Sequence, residues 1–292
     1  MKKSRASVRD TEKLCSGTRV SRPLVHNLPH RKPELWRALP GALYRQLRLR
    51  SGIMPRFVTA RLPGDVEIEV DSRDPMGKAI YLYGSYEYEV TQLFQELMKP
   101  HSVFFDVGAN VGYYSLLAAS RAKLVFAFEP MKEIFDRLAK NVKRNGLSNI
   151  TMMNAAVAER DGDVTIFAQA SSENTGLASL HSSAGASPEQ VPAVTLDTLM
   201  RDHRLERVDL IKVDIEGAEV RAFEGGAELL SRTDAPDVIF ESHPGSKAAE
   251  WLKEHGYKIY GFKRQREYEA PNLFASKKVL PAKISKRLQP VS

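Results

Sequence analysis

The sequence predicts an α/β domain built on a mostly parallel β-sheet with helices on both faces. From residue 103 onward, short apolar runs of strand length alternate with segments of helical periodicity, an order typical of parallel strands joined by helical crossovers. The first of these strands is followed by a glycine-containing turn that opens a helix. The last two, Tyr257–Phe262 and Asn272–Ala275, have no helix between them. We therefore expect them to form an antiparallel hairpin at one edge of the sheet.

The residues before this alternation divide into two segments. Residues 1–33 lack periodicity and contain several helix breakers, which predicts a disordered basic arm. Residues 34–100 predict an N-terminal extension of helices and strands. Its helices are expected at Trp36–Leu49, with a break at Pro40-Gly41, and at Tyr88–Met98, and its short strands at Phe57–Ala60, Val66–Val70 and Ala79–Tyr83.

Residues 101–276 are expected to form the main domain. Its first half predicts strands at Val103–Val107, Leu124–Phe128 and Ile150–Met153, with helices at Val111–Arg121 and Met131–Asn145. Its second half predicts strands at Leu210–Val213 and Val238–Phe240, with helices at Ala218–Leu230 and Lys247–His255.

Two features interrupt the alternation between these halves. Asp161-Gly162 lies between the apolar runs Ala155–Ala158 and Val164–Phe167, which predicts a β-hairpin. Residues 169–190 are rich in Ser, Gly and Ala and lack periodicity. Because long irregular loops in compact domains are often lids or binding loops, we expect this one to lie over a substrate.

Charge is distributed unevenly along the chain. Residues 1–60 carry a surplus of 11 positive charges and residues 277–292 carry 5 more, although the whole chain has a net charge of only +7. The intervening residues 61–276 therefore have a net charge of −9. Such a domain repels a phosphate backbone, so we do not expect a nucleic-acid partner. We interpret both basic ends as solvated, poorly ordered tails.

Cysteine content and hydropathy bound the class of protein. The single cysteine, Cys15, excludes an internal disulfide framework and a cysteine-rich metal site. No apolar run reaches the ~18 residues of a membrane-spanning helix. Both observations suit a cytoplasmic protein without a transmembrane segment, which is the location we expect.

The glycine-containing turn after the first strand is the strongest functional signal. A dinucleotide fingerprint has the pattern G-x-G-x-x-G and directs a helix N-terminus at a pyrophosphate. Here Asn110 replaces the middle glycine between Gly108 and Gly112, and Asp106 precedes the turn. A carboxylate suits a ligand with an ammonium group better than a pyrophosphate. S-adenosylmethionine (SAM), which combines an amino acid, a sulfonium and a ribose, fits this description.

Polar residues after the next two strands extend the predicted cofactor site. Glu129, which precedes Pro130, ends the second strand roughly 20 residues beyond the turn, where an acid accepts hydrogen bonds from ribose hydroxyls. Asn154 and Ala155 close the third strand, where an adenine edge can be recognised by hydrogen bonds. A solvated glutamate and a turn asparagine are the alternative interpretations.

Four ordered motifs resemble those of FkbM-type methyltransferases. They are FFDVGANVG at 104–112, FAFEP at 126–130, NAAV at 154–157 and LIKVDIEGAE at 210–219, and Tyr86-Glu87 ahead of the core is similar too. The resemblance covers about residues 80–276. It implies a Rossmann-like class I fold with seven strands in the order 3-2-1-4-5-7-6 and SAM as methyl donor. It also implies an acceptor hydroxyl, on a small molecule, a sugar or a glycolipid.

Residues at the ends of the fourth and fifth core strands are the candidate catalytic groups. Alternation places Lys212, Asp214 and Glu216 on one side of the chain, toward the same crevice as the cofactor. The positive charge of Lys212 would keep Asp214 ionised, and His243 titrates near neutral pH. We therefore expect Asp214 or His243 to take the proton of the acceptor hydroxyl, and Glu216 to orient the acceptor.

Other roles for these residues stay open. Asp214 and Glu216 could cap the helix that follows, and His243 could be an ordinary loop histidine. The same three residues and Glu241 could converge on a divalent ion, but no ligand spacing is diagnostic, so we predict no metal.

The sequence also distinguishes rival functions. Amino-directed nucleic-acid methyltransferases carry an Asn/Asp-Pro-Pro-aromatic motif where this chain has Asp214-Ile215-Glu216-Gly217, and cysteine-type base methyltransferases need a thiol in the site. A dehydrogenase would show the tighter glycine fingerprint. The remaining alternative is a non-catalytic nucleoside-binding module, recruited to RNA or an anionic membrane by the basic termini. It predicts SAM binding without turnover. The sequence selects neither the acceptor nor the oligomeric state.

Overall fold

The computed structural model describes residues 54–169, 178–179, 186–264 and 271–291. In chain order the strands are β1 (Phe57–Leu62), β2 (Val66–Asp71), β3 (Val103–Val107), β4 (Leu124–Phe128), β5 (Ile150–Met153), β6 (Ala156–Val157), β7 (Gly162–Gln169), β8 (Ala178–Ser179), β9 (Ala186–Val194), β10 (Leu210–Val213), β11 (Asp237–Glu241), β12 (Lys258–Phe262), β13 (Asn272–Ser276) and β14 (Leu288–Pro290). The helices are α1 (Pro75–Tyr83), α2 (Tyr88–Leu97), α3 (Tyr113–Ala119), α4 (Lys132–Arg144), α5 (Leu196–Asp202), α6 (Glu219–Glu224), α7 (Ala227–Ser231), α8 (Lys247–Glu254) and α9 (Ala282–Ser285). The arm at 1–33 and the helix predicted at Trp36–Leu49 lie outside the described residues.

The central sheet confirms the predicted α/β, Rossmann-like fold. Its strands lie in the order β5-β4-β3-β10-β11-β13-β12-β14. The five strands β5, β4, β3, β10 and β11 pair in parallel. The pairings β11–β13, β13–β12 and β12–β14 are antiparallel. The first seven reproduce the order 3-2-1-4-5-7-6 that the family resemblance implied, including the antiparallel hairpin of β12 and β13. Strand β14 is an eighth strand that the sequence did not predict.

Helices cover both faces of this sheet, as predicted. On one face α2 and α4 contribute Leu93 and Leu138 to a buried cluster with Phe104. On the other face Phe105 packs in a second cluster with Phe223 of α6. Neighbouring residues such as Phe104 and Phe105 enter opposite layers because successive side chains of a strand point to opposite faces. The β1–β2 hairpin joins the first layer.

The strand predicted at Ala79–Tyr83 is wrong, because these residues end helix α1. Asp74 caps the helix by accepting a hydrogen bond from the Gly77 N–H at 3.0 Å, and Pro75 lies in its first turn. An acidic cap followed by proline is a strong helix start. Asp-Pro is also typical of turns, so these two residues alone do not distinguish a helix start from a turn between strands.

The hairpin predicted around Asp161-Gly162 is also wrong. Strands β6 and β7 belong to a smaller sheet in the order β6-β9-β7-β8, so β9 lies between them. Strand β9 begins inside the loop predicted at 169–190. The strand was missed because Pro188 and Pro192 are residues that sheets rarely accommodate. The rest of that loop, at 170–177 and 180–185, lies outside the described residues.

Asp161 holds the start of α5 instead of a hairpin turn. Its Oδ1 accepts a hydrogen bond from the Thr195 N–H, and its Oδ2 accepts one from the Thr198 hydroxyl, both at 2.7 Å. Thr195 is itself the N-cap of α5. Asp161 therefore stabilises the start of a helix and does not form a hairpin turn. Short polar residues are common both at helix starts and in turns, so the sequence alone did not distinguish the two.

Two glycines split the helix predicted at Ala218–Leu230 into α6 and α7. A Cβ atom at Gly225 would lie 2.0 Å from the carbonyl oxygen of Ala158, so only glycine permits this approach. The second glycine, Gly226, meets the Leu196 side chain in the same way. The break is therefore a packing requirement that helical periodicity alone does not reveal.

The interpretation of 277–292 as a poorly ordered tail is wrong for residues 282–290. These residues form α9 and β14, and Leu288 is buried where β14 pairs with β12. Arg287 forms ion pairs with Glu89 and Glu96 of α2, each at 3.0 Å. The basic residues of this segment thus neutralise acids far away in sequence. Among the described residues, no helix is long and apolar enough to cross a membrane.

Candidate active site

A cleft of about 240 Å³ opens at the carboxyl ends of the parallel strands β3, β4, β10 and β11. Ligands bind at this edge of open α/β sheets. Its outer wall comes from the segment before the core, including Asp74 and Tyr86. The predicted site residues that line it are Asp106, Gly108, Asn110, Glu129, Pro130, Lys212, Asp214 and Glu216.

The glycine turn is shaped by the protein's own backbone. Gly108 has a φ of +83°, and a Cβ atom there would lie 2.0 Å from the carbonyl oxygen of Asp214. Gly112 has a φ of +98°, and its Cβ would lie 2.6 Å from Leu138 of α4. Asn110 also has a left-handed backbone, with its side chain accepting a hydrogen bond from the Val111 N–H at 2.8 Å. The close approach that requires Gly108 is therefore to strand β10.

Two buried carboxyl groups lie at the carboxyl ends of β3 and β4. Asp106 is 2% exposed and accepts a hydrogen bond from the Ser115 hydroxyl at 2.5 Å. Glu129 accepts hydrogen bonds from the backbone N–H groups of Asn110 and Met131, each at 3.0 Å. Burial raises the pKa of Asp106 to about 6 and that of Glu129 to about 7. Both carboxyls are held rigidly at the floor of the cleft.

Asn154 fastens the ends of β4 and β5 together. Its side-chain amide donates hydrogen bonds to the carbonyl oxygens of Glu129 and Pro130, at 2.9 and 2.8 Å. The sequence analysis gave such a structural role for Asn154 as the alternative to recognition of an adenine. Ala155 and Pro130 line a smaller apolar pocket of about 40 Å³, which also contacts Ile215. That pocket shares Gly108 and Pro130 with the larger cleft.

Lys212 and Asp214 form an ion pair at the end of β10. The Lys212 Nζ lies 2.8 Å from Asp214 Oδ2 and 4.8 Å from the centre of the Tyr114 ring, and Lys212 is 1% exposed. Asp214, Glu87 and Asp106 raise the pKa of Lys212 despite its burial. In turn the charge of Lys212 lowers the pKa of Asp214. The charge of Lys212 therefore favours the ionised form of Asp214 at the edge of the cleft.

Glu241, at the end of β11, lines the cleft, although the sequence suggested it only as a possible metal ligand. It shares a hydrogen bond with Asp214. Burial and the neighbouring Asp214 raise the pKa of Glu241 to about 9, so this carboxyl carries a proton at neutral pH. Its position at a strand end, opposite Asp214 in the parallel sheet, was the signal that could have identified it.

Glu216 and His243 end up in different surroundings. Glu216 lines the cleft with a left-handed φ of 53°, and burial together with the charge of Asp214 raises its pKa. His243 is exposed beyond the end of β11 and does not line the cleft. The structure therefore gives no support to His243 as the base.

A buried network behind the cleft was not predicted to act there. Glu87 accepts hydrogen bonds from the Tyr114 hydroxyl at 2.8 Å and from the Asn272 amide at 2.7 Å. Its φ of 42° is unusual for a residue with a side chain. Burial raises the pKa of Glu87, and the Lys212 charge opposes that rise. The network connects the N-terminal extension, β13 and the Lys212–Asp214 pair.

The part of the chain that the structure describes contains no group of three or more His, Cys, Asp or Glu residues arranged to hold a metal ion. The convergence of Asp214, Glu216, Glu241 and His243 on a divalent ion is not formed, because His243 lies outside the cleft.

Comparison with family models identifies a methyltransferase domain in this chain. The family model described as methyltransferase FkbM domain matches residues 106–259. The hexuronic acid methyltransferase AglP of Haloferax volcanii is 26% identical over 159 residues, which cover 54% of this chain and 63% of AglP. The methyltransferase sdnD of Sordaria araneosa is 29% identical over 152 residues, 41% of this chain and 58% of sdnD. The chain thus spans less than two thirds of the length of these relatives.

Among solved structures, the methyltransferase FkbM of Methylobacillus flagellatus KT is similar to this chain with 15% identity and a TM-score of 0.45. The alignment covers 83% of this chain and 60% of that protein.

Proposed function

Since this chain belongs to the FkbM methyltransferase family, we propose that it transfers the methyl group of SAM to a hydroxyl oxygen of a carbohydrate or another small molecule. The observation that carries the proposal is the acidic cleft at the carboxyl ends of the parallel strands. Carboxyl groups of Asp106, Glu129, Asp214 and Glu241 line it, with Lys212 buried among them.

This charge distribution fits SAM better than a dinucleotide. An ammonium and a sulfonium are attracted by the carboxylates, whereas a pyrophosphate would be repelled by the same groups. Asp106 is the residue proposed to face the positive end of SAM. Asn110 and Gly112 shape the turn between Asp106 of β3 and helix α3.

Glu129 and the apolar pocket fit the nucleoside part. Each Glu129 oxygen accepts one backbone hydrogen bond, and a carboxylate has about four acceptor positions. Two positions therefore stay available for ribose hydroxyls. The pocket bounded by Pro130, Ala155 and Ile215 offers the apolar walls that suit a purine ring. Asn154 holds the two strand ends that form its rim.

The chain itself contributes a base and holds the acceptor hydroxyl in line with the methyl group. SAM supplies an activated methyl group when it is bound. Asp214 is the proposed base for the acceptor hydroxyl, because it is ionised, lies at the cleft and is fixed by Lys212. Glu241 holds a proton against Asp214 and so keeps a single negative charge on the pair. Glu216, at the outer edge, is proposed to orient the acceptor.

The proposed acceptor class is supported by the relative AglP, whose name describes methylation of a hexuronic acid. A hydroxylated carbohydrate also suits a cleft whose outer wall bears Asp71, Asp74 and Tyr86, which can exchange hydrogen bonds with several hydroxyls. The non-catalytic alternative is not favoured. Burying a Lys212–Asp214 pair is costly, and such perturbed groups concentrate at functional sites.

Calorimetric titration with SAM tests this proposal, with NAD as the competing ligand. We expect saturable SAM binding, no NAD binding, and about a tenfold or greater loss of SAM affinity in Glu129→Ala. Glu133→Ala is the matched control, because Glu133 is an exposed acid of α4 outside the cleft. Binding of NAD in place of SAM would overturn the proposal.

A further inference from the structure

Arg137 of helix α4 is a half-buried arginine in the wall of the cleft. Its Nε is buried without a hydrogen-bond partner, and its guanidinium donates no hydrogen bond to any of the described residues. A guanidinium has five N–H donors, and leaving them unpaired away from water is costly. The desolvation is large enough to lower the pKa of Arg137.

The neighbouring acids do not satisfy this arginine. Asp71 is paired with Arg56 at 2.7 Å and accepts a second hydrogen bond from the Arg73 N–H. Asp74 uses its carboxylate to cap α1. Both acids attract Arg137 through space without bonding to it.

An aromatic contact nevertheless restrains the orientation of Arg137. Its guanidinium carbon lies 4.9 Å from the centre of the Phe57 ring, a geometry that restrains a planar cation. A planar guanidinium with free donors, held in the wall of a ligand cleft, is the arrangement that binds planar anionic groups through paired hydrogen bonds.

We propose that Arg137 binds a carboxylate group of a ligand in this cleft. A carboxylate matches the guanidinium fork with one negative charge, whereas a phosphate would bring more charge close to Asp71 and Asp74. The assignment rests on the proposed function. Two ligands of that reaction can supply the carboxylate: the amino-acid end of SAM, or an acidic sugar that serves as acceptor.

Paired ligands that differ at the carboxylate separate these sources. For the donor, SAM is compared with decarboxylated SAM by calorimetry. For the acceptor, D-glucuronate is compared with D-glucose by saturation-transfer NMR, with S-adenosylhomocysteine present. Each pair is measured for wild type, Arg137→Met, Arg137→Lys and the control Arg144→Met. Arg144 lies on the same helix, outside the cleft, and bonds to Glu69 at 3.1 Å.

We expect wild type to prefer the carboxylated member of one pair by about 10- to 100-fold. Arg137→Met should abolish that preference, whereas its affinity for decarboxylated SAM or for glucose should equal that of wild type. Unchanged binding of the ligand without the carboxylate also shows that the variant is folded. Arg137→Lys should retain part of the preference, and Arg144→Met should retain all of it. Loss in the donor pair identifies SAM as the source, and loss in the acceptor pair identifies the sugar acid.

The proposal is overturned if Arg137→Met keeps the wild-type preference in both pairs, or if wild type has no preference in either. These outcomes differ from failure of the proposed function, in which wild type binds neither SAM nor decarboxylated SAM.

Discussion

Replacing Gly108 with alanine tests the closest approach in the candidate site. The new Cβ would lie 2.0 Å from the carbonyl oxygen of Asp214, well inside any van der Waals contact. Because the opposing atom belongs to the backbone of β10, a side-chain rotation cannot relieve the overlap. Strand β10 or the turn after β3 must move, and Asp214 moves with it.

The cost of this substitution has two parts. A left-handed φ of +83° costs an alanine about 1–2 kcal/mol. Overpacking against the backbone adds about 1–3 kcal/mol. A Gly146→Ala variant separates the two costs, because Gly146 has a φ of +61° but nothing lies within 4 Å of its added Cβ. Gly146→Ala should therefore lose only the conformational part.

Urea unfolding of the two variants measures the difference. We expect Gly108→Ala to be less stable than Gly146→Ala by about 1–3 kcal/mol. A displacement of Asp214 by about 1 Å should also reduce turnover on the order of 10²-fold, whereas Gly146→Ala should turn over normally. Equal stability of the two variants would refute the close packing of the turn against β10.

Three further predictions address charge and the C-terminal segment. Lys212→Met should lower the free energy of unfolding by about 3–5 kcal/mol, because it leaves buried carboxylates without their counter-charge. It should also move the acidic limb of the pH–rate profile to higher pH, since Lys212 is what lowers the pKa of Asp214. An unmoved limb would exclude Asp214 as the base. The folded-state pKa of Glu129 is raised from 4.5 to about 7, so its stabilising contribution is complete below pH 4.5 and is lost as pH rises through 7. Urea unfolding from pH 4 to 8 should show wild type losing at most about 3 kcal/mol relative to Glu129→Gln, and parallel pH dependences would contradict this. Ending the chain after Pro281 should lower the free energy of unfolding by about 3–6 kcal/mol, because the buried side chains of Ile284 and Leu288 are lost. Lys286→Ala is the control, since Lys286 is an exposed residue of the same segment and its replacement should have no effect.

The glycine turn and the acids that line the cleft could be predicted from sequence because their signals are local. The turn from Asp106 to Gly112 and the acid Glu129 each follow directly from a recognisable apolar strand. Lys212 and Asp214 follow from the same logic one crossover later. In each case strand direction fixes the edge of the sheet at which the residue lies.

The parts that sequence reasoning missed depend on contacts distant along the chain. Glu87 is buried and accepts hydrogen bonds from Asn272 and Tyr114, and Arg137 lies in the cleft wall against the Phe57 ring. Periodicity says nothing about such pairings. His243 was favoured for its residue type, but the chain turns away at the end of β11 and leaves Glu241 facing Asp214.

The elements that were assigned wrongly share a physical cause. Asp-Pro at the start of α1 and Asp161-Gly162, whose aspartate reaches the start of α5 from 34 residues away, are residue types that both turns and helix starts favour, and tertiary packing decided between them. In β9 and β14 the strands contain prolines and few apolar residues, so only their pairing partners identify them.

The most direct test of the account follows a labelled methyl group. Wild type and Asp214→Asn are incubated with methyl-labelled SAM and a set of carbohydrates, and the products are identified by NMR and mass spectrometry while SAM binding is measured in parallel. We expect wild type to methylate a hydroxyl oxygen, and Asp214→Asn to bind SAM with nearly unchanged affinity but form no product. Methylation at nitrogen or carbon, or wild-type turnover by Asp214→Asn, would contradict the account.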